Sequence, residues 1–547
     1  MSASRLPRAL RALLVLTPLV LLLLPALPAR ASLTCGDIPD LTTVFLQKHV
    51  RFHGLTSEIR DRAIDNYLRR IDPQRVLFLA DEVEALRAEL RLLFAETRAG
   101  DCSRLRELHR DLIARHQEAE GFVRGFVGSE DYVLDESAEL ILDPDERPHP
   151  RTKAARDARL RTLVHFQISN YLAADAELAE ARERLVHRYE LATRRVREME
   201  RDDLYGQFLD SLAGALDPHS GYLTADFFED FQISMQLSLE GIGVALAERD
   251  GYAVVQEIIP GGAADRLDVL RPKDRIIAVA EAGEDPVDVI DMALRDVVRL
   301  IRGRKGTEVE LTVLRQGEKT QRFTVAIERD TIDLEQQAAK LRFEEKEVEG
   351  RTLKLAILEL PAFYGETRDP SKRLGSRDVA RLLSRVREQE ADGLLLDLSR
   401  NGGGLLDDAV RISGFFIREG GVVAVKEGDE PRRILEDPHD GILYDGPMVV
   451  LTSRVSASAS EILAGALKDY RRAVIVGDDH TYGKGTVQSV VPWRPGSGAV
   501  KVTTALFFRP GGISTQHDGV ATDVVVPSLF ATDDFGERTQ RHSLPPE

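Results

Sequence analysis

At 547 residues, 43% of them hydrophobic, the chain is long enough for two to four domains with sizeable cores. Its formal net charge of −17 is spread along the sequence and argues against the basic patch that a nucleic-acid binder presents. The 12 histidines are scattered, and neither CxxC nor HExxH occurs, so no metal or cofactor site is read.

Residues 1–31 read as a secretory signal peptide. Arg5, Arg8 and Arg11 form a basic start, Ala12 to Leu24 is apolar but broken by Pro18, and Ala29-Arg30-Ala31 is a small-x-small cleavage site. An uncleaved anchor is the rival, but the apolar run is short for a span, and no later run is long enough. Ser32, Leu33 and Thr34 do not make a lipoprotein signal of Cys35. Cys35 and Cys102 either pair in an oxidising compartment or stay free thiols.

Residues 36–200 are helical in pattern, charged and nearly free of glycine. Val83, Leu86, Leu90, Leu93 and Phe94 share one face of a predicted helix, as in a scaffold with solvated outer faces. Residues 201–236 form connecting helices and contain Asp217-Pro-His-Ser220, where His219 in a Pro/Gly turn reads as structural or surface. Residues 237–329 look like a small domain of short strands with one helix, about Val287 to Arg302. It opens on Glu240-Gly-Ile-Gly243, where the glycines let backbone N–H groups converge on a terminal carboxylate. With Pro260-Gly-Gly-Ala-Ala264 and the strand from Asp274 in order, it resembles a PDZ domain, with Val297 and Leu300 as pocket-lining candidates.

Residues 330–530 alternate strands and helices with glycine loops, which argues for layered α/β. The last stretch, 531–547, is polar and expected to fray. In the α/β part three loops follow three buried strands, and such loops converge at one sheet edge. The run Gly402 to Gly404 offers backbone N–H groups for half of an oxyanion hole, with the residue after the nucleophile giving the other half. Leu451-Thr-Ser-Arg-Val-Ser-Ala-Ser-Ala-Ser-Glu461 runs from a strand into a helix, where a serine feels the positive end of the helix dipole. In Tyr482-Gly-Lys-Gly-Thr-Val-Gln488, Lys484 becomes a general base if burial lowers its pKa, and Gln488 can hold its amine without adding charge. If Ser460 caps the helix, Ser458 projects from the turn; Ser456 and Ser460 remain open as nucleophiles. Nucleotide binding is rejected, because five residues separate Gly477 from Gly483 and Gly485 follows Lys484. The SxxK pattern is absent, since Glu461 stands three residues after Ser458.

Together, Ser456-Ala-Ser-Ala-Ser-Glu-Ile462, Gly483-Lys-Gly-Thr-Val-Gln488, Asp397-Leu-Ser-Arg-Asn-Gly-Gly-Gly404, Glu240-Gly-Ile-Gly243 and Asp217-Pro-His-Ser220 resemble the C-terminal processing peptidases, or tail-specific proteases, of peptidase family S41. Tyr67-Leu-Arg-Arg-Ile-Asp72 and Leu77-Phe-Leu-Ala80 are similar to the large periplasmic Gram-negative members. The resemblance implies an α/β protease core (crotonase/Clp-like) with an inserted PDZ domain and an all-α N-terminal domain. It implies a Ser/Lys serine endopeptidase without a cofactor: Ser458 as nucleophile, Lys484 as base, Gln488 orienting it, and the N–H groups of Gly403 and Ala459 as the oxyanion hole. Gly241, Ile242 and Gly243 would bind the peptide. The implied partners are proteins or peptides with apolar C-terminal tails and, potentially, an adaptor protein that delivers them. The implied location is the periplasm, with membrane association if the leader is kept.

The sequence departs from the family in three places: Asp478-Asp-His-Thr481 is one residue longer than usual, Ser399 replaces an arginine, and the long helical C-terminal extension of the large periplasmic members is not in this sequence. A catalytically silent, PDZ-bearing tail-binding adaptor is the alternative from a different class. A hydrolase of small acyl substrates is a third reading, against which the tail-binding module argues.

Overall fold

The computed structural model describes residues 32–547 apart from 318–319, 335–336 and 367–371. The leader read at residues 1–31 lies outside the described residues.

Long helices build the N-terminal part: Asp37–Lys48, Ser57–Ile71, Ala80–Glu96, Ser103–Gly128, Lys153–Ala173 and Leu178–Glu198. Their apolar stripes set their packing. In Ser57–Ile71, Ile59, Ala63, Ile64, Tyr67, Leu68 and Ile71 face the interior, and the Thr56 hydroxyl accepts from Ile59 N (3.2 Å) at its start. Cys35 and Cys102 are joined in a disulfide, tying the entry of the first helix to the start of Ser103–Gly128. The segment expected to be a helical connection does more. Its helix Arg201–Ala213 packs on Ser57–Ile71, and its strand Gly221–Leu223 enters a sheet of the core.

The middle domain is an antiparallel sheet whose edge strand is Val244–Arg249, backed by the helix Leu294–Ile301. That helix is shorter than the sequence pattern suggests. Val287–Asp288 pairs as a strand with Arg275–Glu281, the Asp288 carboxylate accepts from Ile290 N (2.9 Å), and Asp291 takes φ 61°. These local turns stop the helix from starting earlier. Chain entry and exit run side by side as the two-stranded ribbon Ser238–Gly241 and Asp330–Asp333, which makes the domain an insertion.

The core carries a six-stranded sheet in the order Lys340–Val348, Arg351–Glu359, Gly393–Asp397, Met448–Thr452, Val474–Gly477, Val524–Val525, parallel except for its first pair. The helices Gly375–Glu388, Leu406–Gly414 and Ala459–Asp469 pack with it, which is why Gly393-Leu-Leu-Leu-Asp397 is nearly all apolar. A second, five-stranded antiparallel sheet holds Thr486–Pro492 against Ala499–Phe508. The chain end does not fray as expected. Glu537 is fully buried, 2.7 Å from His219 Nε2 and accepting from Gln516 Nε2 (3.0 Å), while Leu544 packs with Leu506 and Phe508. One satisfied buried acid and one apolar anchor are enough to order a polar segment. Among the described residues no helix is long and apolar enough to cross a membrane.

Candidate active site

The parallel strands Gly393–Asp397 and Met448–Thr452 lie side by side, so the loops that follow them are neighbours. The second leads to Ser458, which sits at φ 55°, ψ −112° as the residue before the helix Ala459–Asp469. A non-glycine residue there is strained and persists only where its surroundings hold it. The sequence offers Ser460 as a cap if the helix opens there; the helix opens two residues earlier, so Ser460 lies in its first turn, with its hydroxyl donated to Asn401 O (2.8 Å). Ser456 is likewise spent, donating to Leu398 O (2.8 Å) and accepting from Ser453 N (2.9 Å). Both are fully buried. Of the three alternating serines, Ser458 alone is neither fully buried nor committed by its hydroxyl to a backbone carbonyl.

Glu461 joins the serine loop to the lysine loop. Its Oε2 accepts from Ser458 N (2.8 Å) and Lys484 N (2.9 Å), and its Oε1 accepts from Gly483 N (2.7 Å) and the Thr481 hydroxyl (2.6 Å). Burial pushes its carboxyl up to about 7 against the pull of these four donors. Glu461 is not among the candidate site residues read from the sequence; the Ser458-x-x-Glu461 spacing of a capping box is the signal that points to it.

Lys484 Nζ donates to Gln488 Oε1 (2.6 Å). Burial, reinforced by the charge of Lys501, brings the lysine down to about 8, although Glu537, Asp217 and Glu461 pull the other way. Gln516 pins the loop by accepting from Gly485 N (2.7 Å), and His517 N donates to Gly483 O (2.7 Å).

Ala459 is the first residue of its helix, so its N–H has no partner inside that helix. Gly403 takes φ 111°, and a Cβ there would stand 2.9 Å from Ser458 Cβ. Only glycine lets the two loops approach this closely. The Gly403 N–H donates to Asn401 Oδ1 (2.9 Å), and Asn401, fully buried, also takes Ala457 N (3.2 Å) and the Ser460 hydroxyl on its carbonyl. Asn401 was not singled out from the sequence. Ser399 donates to Asp397 Oδ1 (2.6 Å). Asp478 closes its turn by accepting from Arg454 N (2.7 Å) and from Ser528.

In the middle domain Gly241 pairs with Asp330, Ile242 is buried with its carbonyl taken by Ala264 N (2.8 Å), and Gly243 turns at φ 78° with its carbonyl taken by Ile259 N (2.9 Å). The bonds from Ala264 and Ile259 use the carbonyls of Ile242 and Gly243, whose own N–H groups lie next to the free edge strand. Val244, Leu246 and Leu300 are half-buried at that edge, whereas Val297 lies wholly inside the domain core and does not line a pocket.

Family models match along the chain in this order: a tail specific protease N-terminal domain over residues 41–226, a PDZ domain over 230–314 and peptidase family S41 over 354–526. The chain is 33% identical to a tail-specific protease of Haemophilus influenzae over 514 residues, covering 92% of this chain and 71% of that one. It belongs to peptidase family S41. A carboxy-terminal-processing protease of Bartonella bacilliformis is 32% identical, covering 57% of this chain and 67% of its own length. Among solved structures, the PDZ domain of a carboxy-terminal protease from Vibrio cholerae in complex with peptide is 46% identical over 18% of this chain and all of that chain, with a TM-score of 0.18. The three parts of the molecule are thus the helical N-terminal domain of tail-specific proteases, an inserted PDZ domain and the S41 core of a serine-type protease.

Proposed function

We propose that this S41 protease is a secreted endopeptidase that captures C-terminal tails on its PDZ domain and cleaves with a Ser458–Lys484 dyad. The observation that carries the reading is the strained Ser458 at a helix N-terminus, bound to the lysine loop through a single carboxylate oxygen of Glu461.

Ser458 Oγ attacks the scissile carbonyl, and its proton passes to neutral Lys484 Nζ. The resulting ammonium gives a proton to the leaving amine, and the neutral amine then activates water against the acyl-enzyme. With the lysine near 8, a useful neutral fraction exists around neutral pH. Gln488 holds the amine in place. The oxyanion rests on the N–H groups of Ala459 and Gly403, the latter turning from Asn401 Oδ1 as the site fills. A tail adds as a strand along Val244–Arg249 with its carboxylate at the N–H groups of Ile242 and Gly243, and its last apolar side chains lie against Val244, Leu246 and Leu300. The leader-like residues 1–31 and the Cys35–Cys102 disulfide support an oxidising location, the periplasm.

The test is cleavage of a protein bearing an apolar C-terminal tail by the mature chain, by Ser458→Ala and by Lys484→Ala. The parent should cut and both variants should fall by at least about 10³-fold. Tail binding without cleavage by all three would favour the silent adaptor.

A further inference from the structure

Behind Gln488 runs a chain of buried polar side chains that crosses from the catalytic lysine to the N-terminal domain. It begins at His49, which caps the C-terminal end of the helix Asp37–Lys48 and has no solvent-exposed side-chain surface. Its Nδ1 accepts from Arg51 N (3.0 Å) and Phe52 N (3.0 Å), so that nitrogen carries no proton. The ring proton therefore sits on Nε2, which donates to Asp217 Oδ2 (3.1 Å).

Asp217 is fully buried and accepts from every side. Besides His49 it takes His219 N (2.8 Å), Ser220 N (3.1 Å), the Ser220 hydroxyl and the Thr503 hydroxyl (2.8 Å). Burial alone would raise its pKa, but the donors led by His49 outweigh that and hold it at about 2. An ionised carboxylate donates nothing, so Thr503 must spend its proton on Asp217. Its oxygen is left as an acceptor, and Gln488 Nε2 donates to it (3.0 Å) as well as to Thr486 Oγ1 (3.0 Å). This decides which way the amide faces. With its NH₂ turned to two threonines, Gln488 presents Oε1, and only Oε1, to Lys484 Nζ.

We propose that Asp217 is a positioning residue for the lysine: through the hydroxyl of Thr503 it fixes the orientation of the Gln488 amide, with His49 of the N-terminal domain holding the carboxylate in place. The proposal rests on Lys484 as the general base. With the amide reversed, its NH₂ would bind the lone pair of the amine, the same lone pair that must take the proton of Ser458. Asp217 touches no reacting atom; it acts through two intermediaries. The Asp-Pro-His-Ser turn thereby gains a role that its histidine does not supply, since His219 turns to Glu537 instead.

The experiment measures kcat, KM and the pH profile of kcat for tail-dependent cleavage by the full mature chain carrying Thr503→Val, Thr503→Ser or Asp217→Asn. Thr503→Val keeps the side-chain shape and changes no charge. It should lower kcat about 10- to 100-fold with KM within about 2-fold of the parent. The acid limb of the profile should move to lower pH, because an amide NH₂ facing the amine favours its neutral form. The other charged groups facing Lys484, namely Lys501, Glu537, Glu461 and Asp217, keep their charges under that substitution, Asp217 retaining four of its five donors, so the movement reports the amide rather than a lost charge. Thr503→Ser should restore both kcat and the profile, and Asp217→Asn should lower kcat as Thr503→Val does, with the acid limb moved further down because a negative charge near Lys484 is lost as well. Should Thr503→Val not fold, Thr503→Ala is read against Thr503→Ser in the same way. Parental kcat and profile in the variant without a hydroxyl, or equal impairment in Thr503→Ser, would overturn the proposal. Ser458→Ala run alongside separates the failures. If it cleaves at the parental rate, the dyad falls and this proposal with it; if it is inactive while Thr503→Val is unchanged, only the positioning role falls.

Discussion

The catalytic loops and the PDZ domain are held in place by different kinds of contact. Around the catalytic loops the ties are buried and many. Glu461 binds four groups from two loops, His49 reaches in from the N-terminal domain, and the chain end brings Glu537 and Leu544. The PDZ domain hangs on a two-stranded ribbon and leans on the helix Leu178–Glu198 through surface contacts: a His187–Asp291 hydrogen bond (3.0 Å) and the ion pairs of Arg194 with Asp291 (3.0 Å) and Arg195 with Glu248. Exposed pairs of this kind contribute about 0–1 kcal/mol and weaken with salt, whereas a buried carboxylate with satisfied donors is costly to disturb. The contrast is between catalytic loops locked by buried bonds, within which the Gly403 N–H must still turn from Asn401 Oδ1, and a PDZ domain joined to its neighbours largely at the surface.

The comparison breaks most easily at Glu461. Replacing it by alanine leaves four buried or half-buried donors unpaired, at about 1–3 kcal/mol each where no water replaces the carboxylate. A loss of about 3 kcal/mol or more is expected in thermal unfolding, together with loss of cleavage; wild-type stability in Glu461→Ala would show that the loops are not locked through it. Next comes the disulfide, which closes a segment of sequence separation 67. Cys35→Ser with Cys102→Ser should cost about 2–4 kcal/mol in denaturant unfolding, with the loss centred on the N-terminal helices.

The pH dependence sharpens the same side. Lys484, lowered to about 8, must lose a proton to act, and Glu461, raised to about 7, must stay ionised to hold both loops. Both conditions fail as pH falls, so kcat/KM should climb roughly 100-fold between about pH 6.5 and 8.5, about 25-fold of it from the lysine, and then level off. A flat profile across that range would remove the lysine as base. The smallest effect belongs to the PDZ side. Asp291 sits at φ 61°, which asparagine tolerates, so Asp291→Asn removes charge without straining the backbone. It should cost less than about 1 kcal/mol, leave the catalytic loops unchanged, and increase hydrogen exchange along residues 178–198 and 287–301, an effect that salt should mimic in the parent.

How much of this could be read from the sequence depended on how local each feature is. The serine, lysine and glycine segments are short contiguous motifs, and strand-loop-helix patterning alone put them on neighbouring loops. The cap falls two residues before Ser460, and the sequence does not show it, because the positive φ of Ser458 is imposed by Asn401 and Glu461 packing around it, not by its own side chain. Thr503 and His49 come from separate segments and carry no motif that marks them; their meaning arises only when the second sheet brings Thr503 beside Asp217 and Gln488. Asn401 lies within the glycine motif, but its part in holding the serine loop shows only in the contacts. The ordered chain end was missed for a related reason. A polar composition predicts fraying unless one knows that a single glutamate will be buried against His219 and Gln516.

The most direct test of the dyad is to label the mature chain with a serine-directed fluorophosphonate and map the modified peptide by mass spectrometry. A single adduct on Ser458, lost in Lys484→Ala and absent from Ser456 and Ser460, is the expected result. An adduct on Ser456 or Ser460, or undiminished labelling of Ser458 without the lysine, would contradict a site built on Ser458 and Lys484.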